Sequence, residues 1–215
     1  MLFVSPAYAG TTAWMFSEPD GSSTVTSDTG VVGTLENDGD PNGVAVLGGR
    51  LVLNGHGRVV VPESTADLDP AAAPFTASVR VNTTVVPSDA IGDFDLVRDG
   101  LSTHKRYWKV ELFPNAANTK AFAFCQMRGY TSGIGFRGTR LKWTGANLAN
   151  GVNHVIECTK TDTLVTLSVD GVVRVARTIS IGSITNTAAL AIGAKAEIWE
   201  DMHIGSIDDV VLQVG

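Results

Sequence analysis

Long hydrophobic runs, helical periodicity and an excess of basic residues are all missing from this sequence. No apolar run approaches the roughly 18 residues that a membrane-spanning helix needs, so no such span is predicted. The 215 residues carry a formal net charge of -6, which argues against a protein that binds nucleic acid through a basic face. Charged residues make up only 18%, below the roughly one quarter of ordinary globular chains. These absences favour a globular domain whose surface is rich in small polar residues.

Several kinds of catalytic and metal site are also missing. A nucleophile-elbow pattern for Ser-His-Asp catalysis is not found, and glycine pairs such as Gly48-Gly49 lack the following helix of a phosphate loop. The histidines are too dispersed for a zinc-binding helix motif. They are His56, His104, His154 and His203.

Short runs with alternating apolar and polar residues are present along the whole chain, and alternation of this kind is typical of half-buried strands. The clearest strands are predicted at residues 50–54, 58–62, 75–81, 106–112, 163–169 and 189–193. Asp99-Gly100 and Asp170-Gly171 are predicted hairpin turns, since both residue types tolerate positive φ. Turns about every 8 to 12 residues indicate an all-β antiparallel sandwich or barrel. We expect residues 10–215 to form one domain.

The alternation also predicts which face of a strand is buried. In the strand that begins at Arg106, Trp108 and Leu112 share the face that we expect to pack in the core. Tyr107 and Lys109 lie on the opposite face, where they meet solvent or a ligand.

The N-terminus resembles the end of a secretion signal. Ala7-Tyr8-Ala9 is a small-x-small triplet of the kind that signal peptidase cleaves, just before Gly10. The basic segment of a complete signal is missing, so we interpret Met1–Ala9 as a signal-peptide remnant. The alternative is an ordinary first strand that runs to Trp14. The remnant predicts a secreted, extracellular protein.

Two cysteines, Cys125 and Cys158, lie on predicted strands. An even count in an exported chain favours a disulfide. The alternation of strand faces favours a disulfide less, because Cys125 lies on the opposite face of its strand from Phe122 and Phe124. A disulfide and two buried thiols therefore both stay open.

The order of motifs resembles the laminin-G-like domains, which belong to the concanavalin A-like lectins and glucanases. The matching segments are residues 14–21, 28–35, 43–62, 68–79, 152–155, 167–171, 190–193 and 205–210. The resemblance implies a jelly-roll sandwich of two antiparallel sheets, usually extracellular, that binds glycans or proteins and often holds a structural calcium ion. Val152 stands where relatives often have tryptophan, and residues 129–150 have no counterpart in a minimal member.

Carbohydrate binding is the function that we predict, because sugar rings stack on aromatic side chains while polar neighbours bind their hydroxyl groups. Residues 129–143 combine aromatic and basic side chains, which in an acidic protein favours an acidic polysaccharide. The candidate ligand-binding residues are Tyr107, Lys109, Arg128, Tyr130, Arg137, Arg140, Trp143 and Trp199. The alternative for residues 129–143 is a long hairpin with solvated arginines over a packed tryptophan. A structural or adhesion module that binds protein is a further alternative.

An enzyme on the same fold is another alternative. Retaining glycosidases need two carboxylates about 5 Å apart, and the usual Glu-x-Asp-x-x-Glu strand pattern of this fold is absent. A polysaccharide lyase would need arginine, glutamine or histidine, and tyrosine on one sheet face. Such a set exists if the strands are neighbours: His104, Arg106, Tyr107, Lys109, Gln126 and Arg128.

Structural calcium is the last expectation. In the resembled fold the two chain ends run side by side, which would bring carboxylates from both ends together. The candidate ligands are Glu18, Asp28, Asp208 and Asp209. Calcium binds six to eight oxygens at about 2.3–2.6 Å. Residues 38–42 form a competing oxygen-rich loop, although their composition is also ordinary turn chemistry.

Overall fold

The computed structural model describes residues 10–62 and 68–215, which fold into two antiparallel β-sheets. The strands are β1 (Gly10–Trp14), β2 (Thr24–Thr26), β3 (Val32–Asn37), β4 (Val44–Val46), β5 (Leu51–Asn54), β6 (Gly57–Val61), β7 (Phe75–Asn82), β8 (Phe94–Asp99), β9 (Tyr107–Pro114), β10 (Ala121–Thr131), β11 (Gly135–Trp143), β12 (His154–Lys160), β13 (Leu164–Val169), β14 (Val172–Thr178), β15 (Leu190–Ile192) and β16 (Ile204–Val214). A 3-10 turn spans Ser102–His104. The predicted signal remnant, Met1–Ala9, lies outside the described residues.

Each sheet has eight strands. Sheet A has the order β14-β13-β12-β7-β16-β5-β4, and β1 pairs with the second half of β16 beyond the end of β5. Sheet B has the order β11-β10-β9-β8-β15-β6-β3-β2. The predicted jelly-roll sandwich is confirmed. None of the described helices has the length and apolar character of a membrane span.

The core lies between the two sheets and follows the predicted alternation. Trp108, Val110 and Leu112 of β9 are fully buried in it. Across the core, a disulfide joins Cys125 of β10 in sheet B to Cys158 of β12 in sheet A, with the two Cα atoms 5.7 Å apart. Both cysteines therefore face the interior, and the disulfide joins the two layers of the sandwich.

The two predicted hairpin turns differ in outcome. Asp170 and Gly171, with φ of 53° and 72°, form the tight turn between β13 and β14. Asp99 instead ends β8, and the chain continues through Gly100 and the 3-10 turn before β9 begins. This longer connection lies over sheet B and becomes a wall of the candidate site.

A buried histidine precedes the last strand. His203 is fully buried, and its ring meets the edge of Phe94 with 5.3 Å between ring centroids. Burial lowers the pKa of His203 to about 3, so the ring is neutral at physiological pH.

Candidate functional site

A line of polar side chains crosses the outer face of sheet B, the face turned away from the core. Arg140 of β11 is directly opposite Gln126 of β10, which is opposite Lys109 of β9. Lys109 is in turn opposite Arg98 of β8. Directly opposed residues project from the same face of a sheet. Neighbouring strands are about 4.8 Å apart, so this polar row extends roughly 14 Å across four strands.

A second pair of side chains lies beside the polar row. Arg128 is directly opposite Tyr107 on the same face of β10 and β9. The Gln126 amide donates a hydrogen bond to the Tyr107 hydroxyl, with nitrogen and oxygen 2.5 Å apart. This bond fixes the orientation of both side chains, and the tyrosine proton remains free to be donated to a ligand.

One end of the polar row opens into a cavity of about 450 Å³, here called the arginine cavity. It is lined by Tyr107, Gln126, Arg128, Phe136, Gly138, Thr139, Arg140 and Arg177. Phe136 provides an aromatic wall, since its side chain is 43% exposed. Gly138 lies at the base of the arginine cavity, where a side chain would not fit. A Cβ atom added there would lie 2.8 Å from the Met127 carbonyl oxygen and 3.1 Å from Arg128 Cβ.

The other end opens into a cavity of about 350 Å³, here called the mixed cavity. It is lined by Arg98, Leu101, Ser102, Thr103, Tyr107, Lys109, Gln126, Arg140, Lys195, Ile198, Glu200 and Asp201. The two cavities share Tyr107, Gln126 and Arg140, so together they form one groove along the polar row. Cavities of about 300–1,000 Å³ are the usual size for small-ligand sites.

Two buried carboxyl groups lie beneath the mixed cavity, directly opposite each other on β8 and β9. Asp95 accepts a hydrogen bond from Arg98 at 2.5 Å, and Glu111 pairs with the Lys109 ammonium. Burial, with a smaller effect of the nearby Asp95 charge, raises the pKa of Glu111 to about 8 against the attraction of Lys109. Glu111 therefore holds its proton at neutral pH, and the Asp95–Arg98 pair is the charged one.

Residues 195–201 form the wall of the groove next to the mixed cavity and are held by Arg58. Its guanidinium donates to the carbonyl oxygen of Lys195 at 2.6 Å and stacks on Trp199 at 3.9 Å from the ring centroid. The backbone N–H of Asp95 also donates to the carbonyl oxygen of Asp201 at 2.9 Å. Several hydrogen bonds therefore fix this wall against the sheet.

Solved structures share the architecture at low sequence identity. One is domain 4 of AbnA, an extracellular GH43 arabinanase from Geobacillus stearothermophilus, in complex with arabinotriose. Its sequence is 16% identical to this chain and its TM-score is 0.59, and the match covers 95% of this chain and 91% of that one. The binding domain of botulinum neurotoxin serotype D is 10% identical with a TM-score of 0.58, over 94% of this chain and 46% of that one. The botulinum neurotoxin DC binding domain in complex with SialylT is 10% identical with a TM-score of 0.54, over 88% and 44%.

The chain has the concanavalin A-like jelly-roll fold. The resemblance that the sequence motifs indicated is thus confirmed for the fold, and this chain spans just under half the length of the two neurotoxin domains. No protein-family model matches the sequence, and no curated protein is similar to it.

The jelly roll brings four of the predicted ligand-binding residues together. Tyr107, Lys109, Arg128 and Arg140 all line the groove. Tyr130 lies just beyond it, directly opposite Phe136, with 5.4 Å between the two ring centroids.

The other three predicted residues lie apart from the groove. Arg137 and Trp143 project from the alternate face of β11, where Trp143 packs against the core and beneath Arg174, 4.8 Å from the ring centroid. Trp199 belongs to the wall, but its ring is stacked on Arg58.

Some groove residues were not among the predicted ligands. Gln126 belongs only to the predicted lyase set, although it occupies the centre of the polar row. The aromatic wall, Phe136, follows from strand alternation once Arg140 and Arg128 are assigned to the outer face. Arg98, Arg177 and Lys195 come from distant parts of the sequence, and no local pattern marks them.

The four predicted calcium ligands are engaged with other groups. Glu18 and Asp28 accept hydrogen bonds from backbone N–H groups, of Thr26 at 2.5 Å and Ala13 at 2.7 Å. Asp208 accepts from the Asn153 amide at 3.0 Å, and Asp209 accepts from Arg80 at 2.6 Å. Within residues 10–62 and 68–215, no three acidic, histidine or cysteine side chains are grouped as a metal site requires. Calcium binding therefore stays a prediction.

Proposed function

We propose that this protein is a secreted carbohydrate-binding module whose ligand is an acidic polysaccharide that lies in the groove of sheet B. The single observation that carries this proposal is the polar row, which leads from the arginine cavity to the mixed cavity across four strands. An extended chain of sugars fits a groove of this length better than a compact ligand does.

The side chains of the groove suit sugar chemistry. Sugar hydroxyl groups both donate and accept hydrogen bonds, and the groove presents the Gln126 amide, the Tyr107 hydroxyl and Ser102 for this purpose. Phe136 adds an exposed aromatic wall against which the apolar face of a sugar ring can pack.

Arginine favours an acidic ligand, because its planar guanidinium binds carboxylate and sulfate oxygens with paired hydrogen bonds. Arg128, Arg140 and Arg177 line one cavity. Within the described part of the chain, none of them has a carboxylate within 4.0 Å. Three unneutralised cations in a protein of net charge -6 point to an anionic ligand.

The Cys125–Cys158 disulfide supports secretion, because disulfides form and persist in oxidising, extracytoplasmic compartments. Two of the structural neighbours also support a sugar ligand, since they were solved with arabinotriose and with SialylT.

Calorimetric titration with a panel of acidic and neutral oligosaccharides tests the proposal. We expect binding to an acidic member, and a loss of roughly tenfold or more in affinity in Arg140→Gln, since a charged hydrogen bond contributes about 1.5–3 kcal/mol. Arg80→Gln is the matched control, because Arg80 is exposed on the outer face of sheet A. Equal affinity losses in the two variants, or no binding to any glycan, would contradict the proposal.

A polysaccharide lyase is the second candidate, and the neighbouring positions of β9 and β10 favour it. Tyr107, Lys109, Gln126 and Arg128 come together on one face, as proton transfer beside a neutralised uronate requires. β-Elimination would produce an unsaturated sugar and a rise in ultraviolet absorbance. Under this hypothesis Tyr107→Phe abolishes the rise while oligosaccharide binding persists; no rise in the unmodified protein with any uronate polymer excludes it.

A further inference from the structure

We propose that the groove selects a glycan in which an acidic sugar is followed by an uncharged one, over a polymer in which every sugar is acidic. This inference rests on the proposed function and specifies the ligand class of the same site. It follows from an uneven distribution of charge along the groove.

The arginine cavity has an excess of positive charge. The Arg140 and Arg128 side chains project from neighbouring strands, and Arg177 reaches the cavity from β14 of sheet A, where it donates to the Thr139 hydroxyl at 3.4 Å. In the part of the chain that the structure describes, no carboxylate pairs with any of these three guanidinium groups. An anionic substituent of the ligand therefore belongs in this cavity.

Among the described residues, three of the four cations that line the mixed cavity contact carboxyl groups, and the fourth is the shared Arg140. Arg98 pairs with Asp95 at 2.5 Å, and Lys195 pairs with Glu200 at 2.6 Å and with Asp201 at 2.8 Å. Lys109 contacts Glu111. Apart from Arg140, which both cavities share, three cations face three carboxylates even when Glu111 is protonated, so this cavity carries less net positive charge than the arginine cavity.

The carboxylates of the mixed cavity also discriminate directly between acidic and uncharged sugars. The Glu200 side chain is 60% exposed, and its second oxygen is available to accept hydrogen bonds from sugar hydroxyl groups. The same carboxylate repels an acidic sugar, and repulsion of a competing ligand is an effective source of specificity. An uncharged sugar is thus the preferred occupant of this cavity.

One ligand can occupy both cavities at once, because Tyr107, Gln126 and Arg140 line both of them. Arg140 and Arg98 are separated by three strand spacings, about 14 Å in total. A chain that places its acidic group near Arg177 and extends toward Arg98 therefore has its next sugars beside Glu200.

The test compares two oligosaccharides of equal length by calorimetric titration at low ionic strength. One alternates an acidic sugar with a neutral sugar, and the other contains only the acidic sugar. We expect the alternating chain to bind roughly tenfold more tightly to the unmodified protein. Glu200→Gln should reduce this preference by improving the affinity for the uniformly acidic chain.

Glu197→Gln is the matched control, since Glu197 is exposed in the same segment and does not line the mixed cavity. Equal or tighter binding of the uniformly acidic chain would overturn the inference, and so would equal effects of the two substitutions. In both cases the proposed glycan-binding function would stand. Binding of neither chain would overturn the inference together with the function.

Discussion

Removing the disulfide should cost this protein a large part of its stability. Cys125 and Cys158 are fully buried and join the two sheets across the core. The double variant Cys125→Ala, Cys158→Ala removes the covalent link while it leaves only small apolar side chains at the two positions.

The expected magnitude follows from the 33 residues that separate the two cysteines in sequence. A cross-link that closes a loop of this length lowers the entropy of the unfolded chain by about 12 cal/mol/K, or ~4 kcal/mol at 25 °C. A domain of this size changes its melting temperature by roughly 2–4 °C per kcal/mol, so we expect a decrease of roughly 10 °C.

Urea denaturation followed by fluorescence measures the effect as a change in the free energy of unfolding. The unmodified protein after reduction should lose a similar amount, and mass spectrometry of the unreduced protein should find no free thiol. A double variant whose free energy of unfolding lies within ~1 kcal/mol of that of the unmodified protein would contradict the predicted contribution of the disulfide. Two free thiols in the unreduced protein would refute the disulfide itself.

Three further predictions concern pH and calcium. The pKa of His203 is about 3 in the folded protein and about 6.5 when unfolded, so the unfolded chain binds the proton first as pH falls. The contribution of neutral His203 to the free energy of unfolding is complete above about pH 6.5 and is about 3 kcal/mol smaller at pH 4.5. In urea titrations over this range, His203→Met should therefore lose less stability than the unmodified protein. The pKa of Glu111 is raised to about 8, so the contribution of its protonated form to the free energy of unfolding is complete below about pH 4.5 and is lost as pH rises through 8. Glu111→Gln should flatten this decline in stability. An unchanged dependence of stability on pH in the variant would contradict the effect of burial on Glu111. The calcium ion implied by the resemblance would raise the thermal midpoint with calcium concentration, and a midpoint that is the same in chelator contradicts it.

The alternation of β9 was sufficient to predict its two faces, because one side of that strand is uniformly apolar. The same argument was indecisive for β10, where Phe122 and Phe124 suggested that Cys125 faced away from the core. Those phenylalanines lie on the outer face of sheet B, yet they are buried, with 7% and 4% exposure. A strand covered on both faces has no clear polar side, so parity alone could not place Cys125.

The candidate site could be predicted only where it lies within neighbouring strands. Tyr107, Lys109 and Arg128 belong to strands whose faces the sequence indicates. The position of Arg140 beside Gln126 depends on the register of β10 and β11, which a sequence without a clear two-residue turn leaves open. Arg177 reaches the groove from the other sheet, a contact that depends on how the two layers pack.

The most direct test of a glycan site on sheet B is to map the bound glycan on the protein. Chemical-shift changes in a titration with an acidic oligosaccharide should be largest for the side-chain signals of Gln126, Arg128 and Arg140 on the outer face of sheet B. Signals of Ser78 and Arg80, on the outer face of sheet A, should stay unchanged. The largest changes on sheet A, or none in the groove at saturating ligand, would contradict the central claim that sheet B carries the binding site.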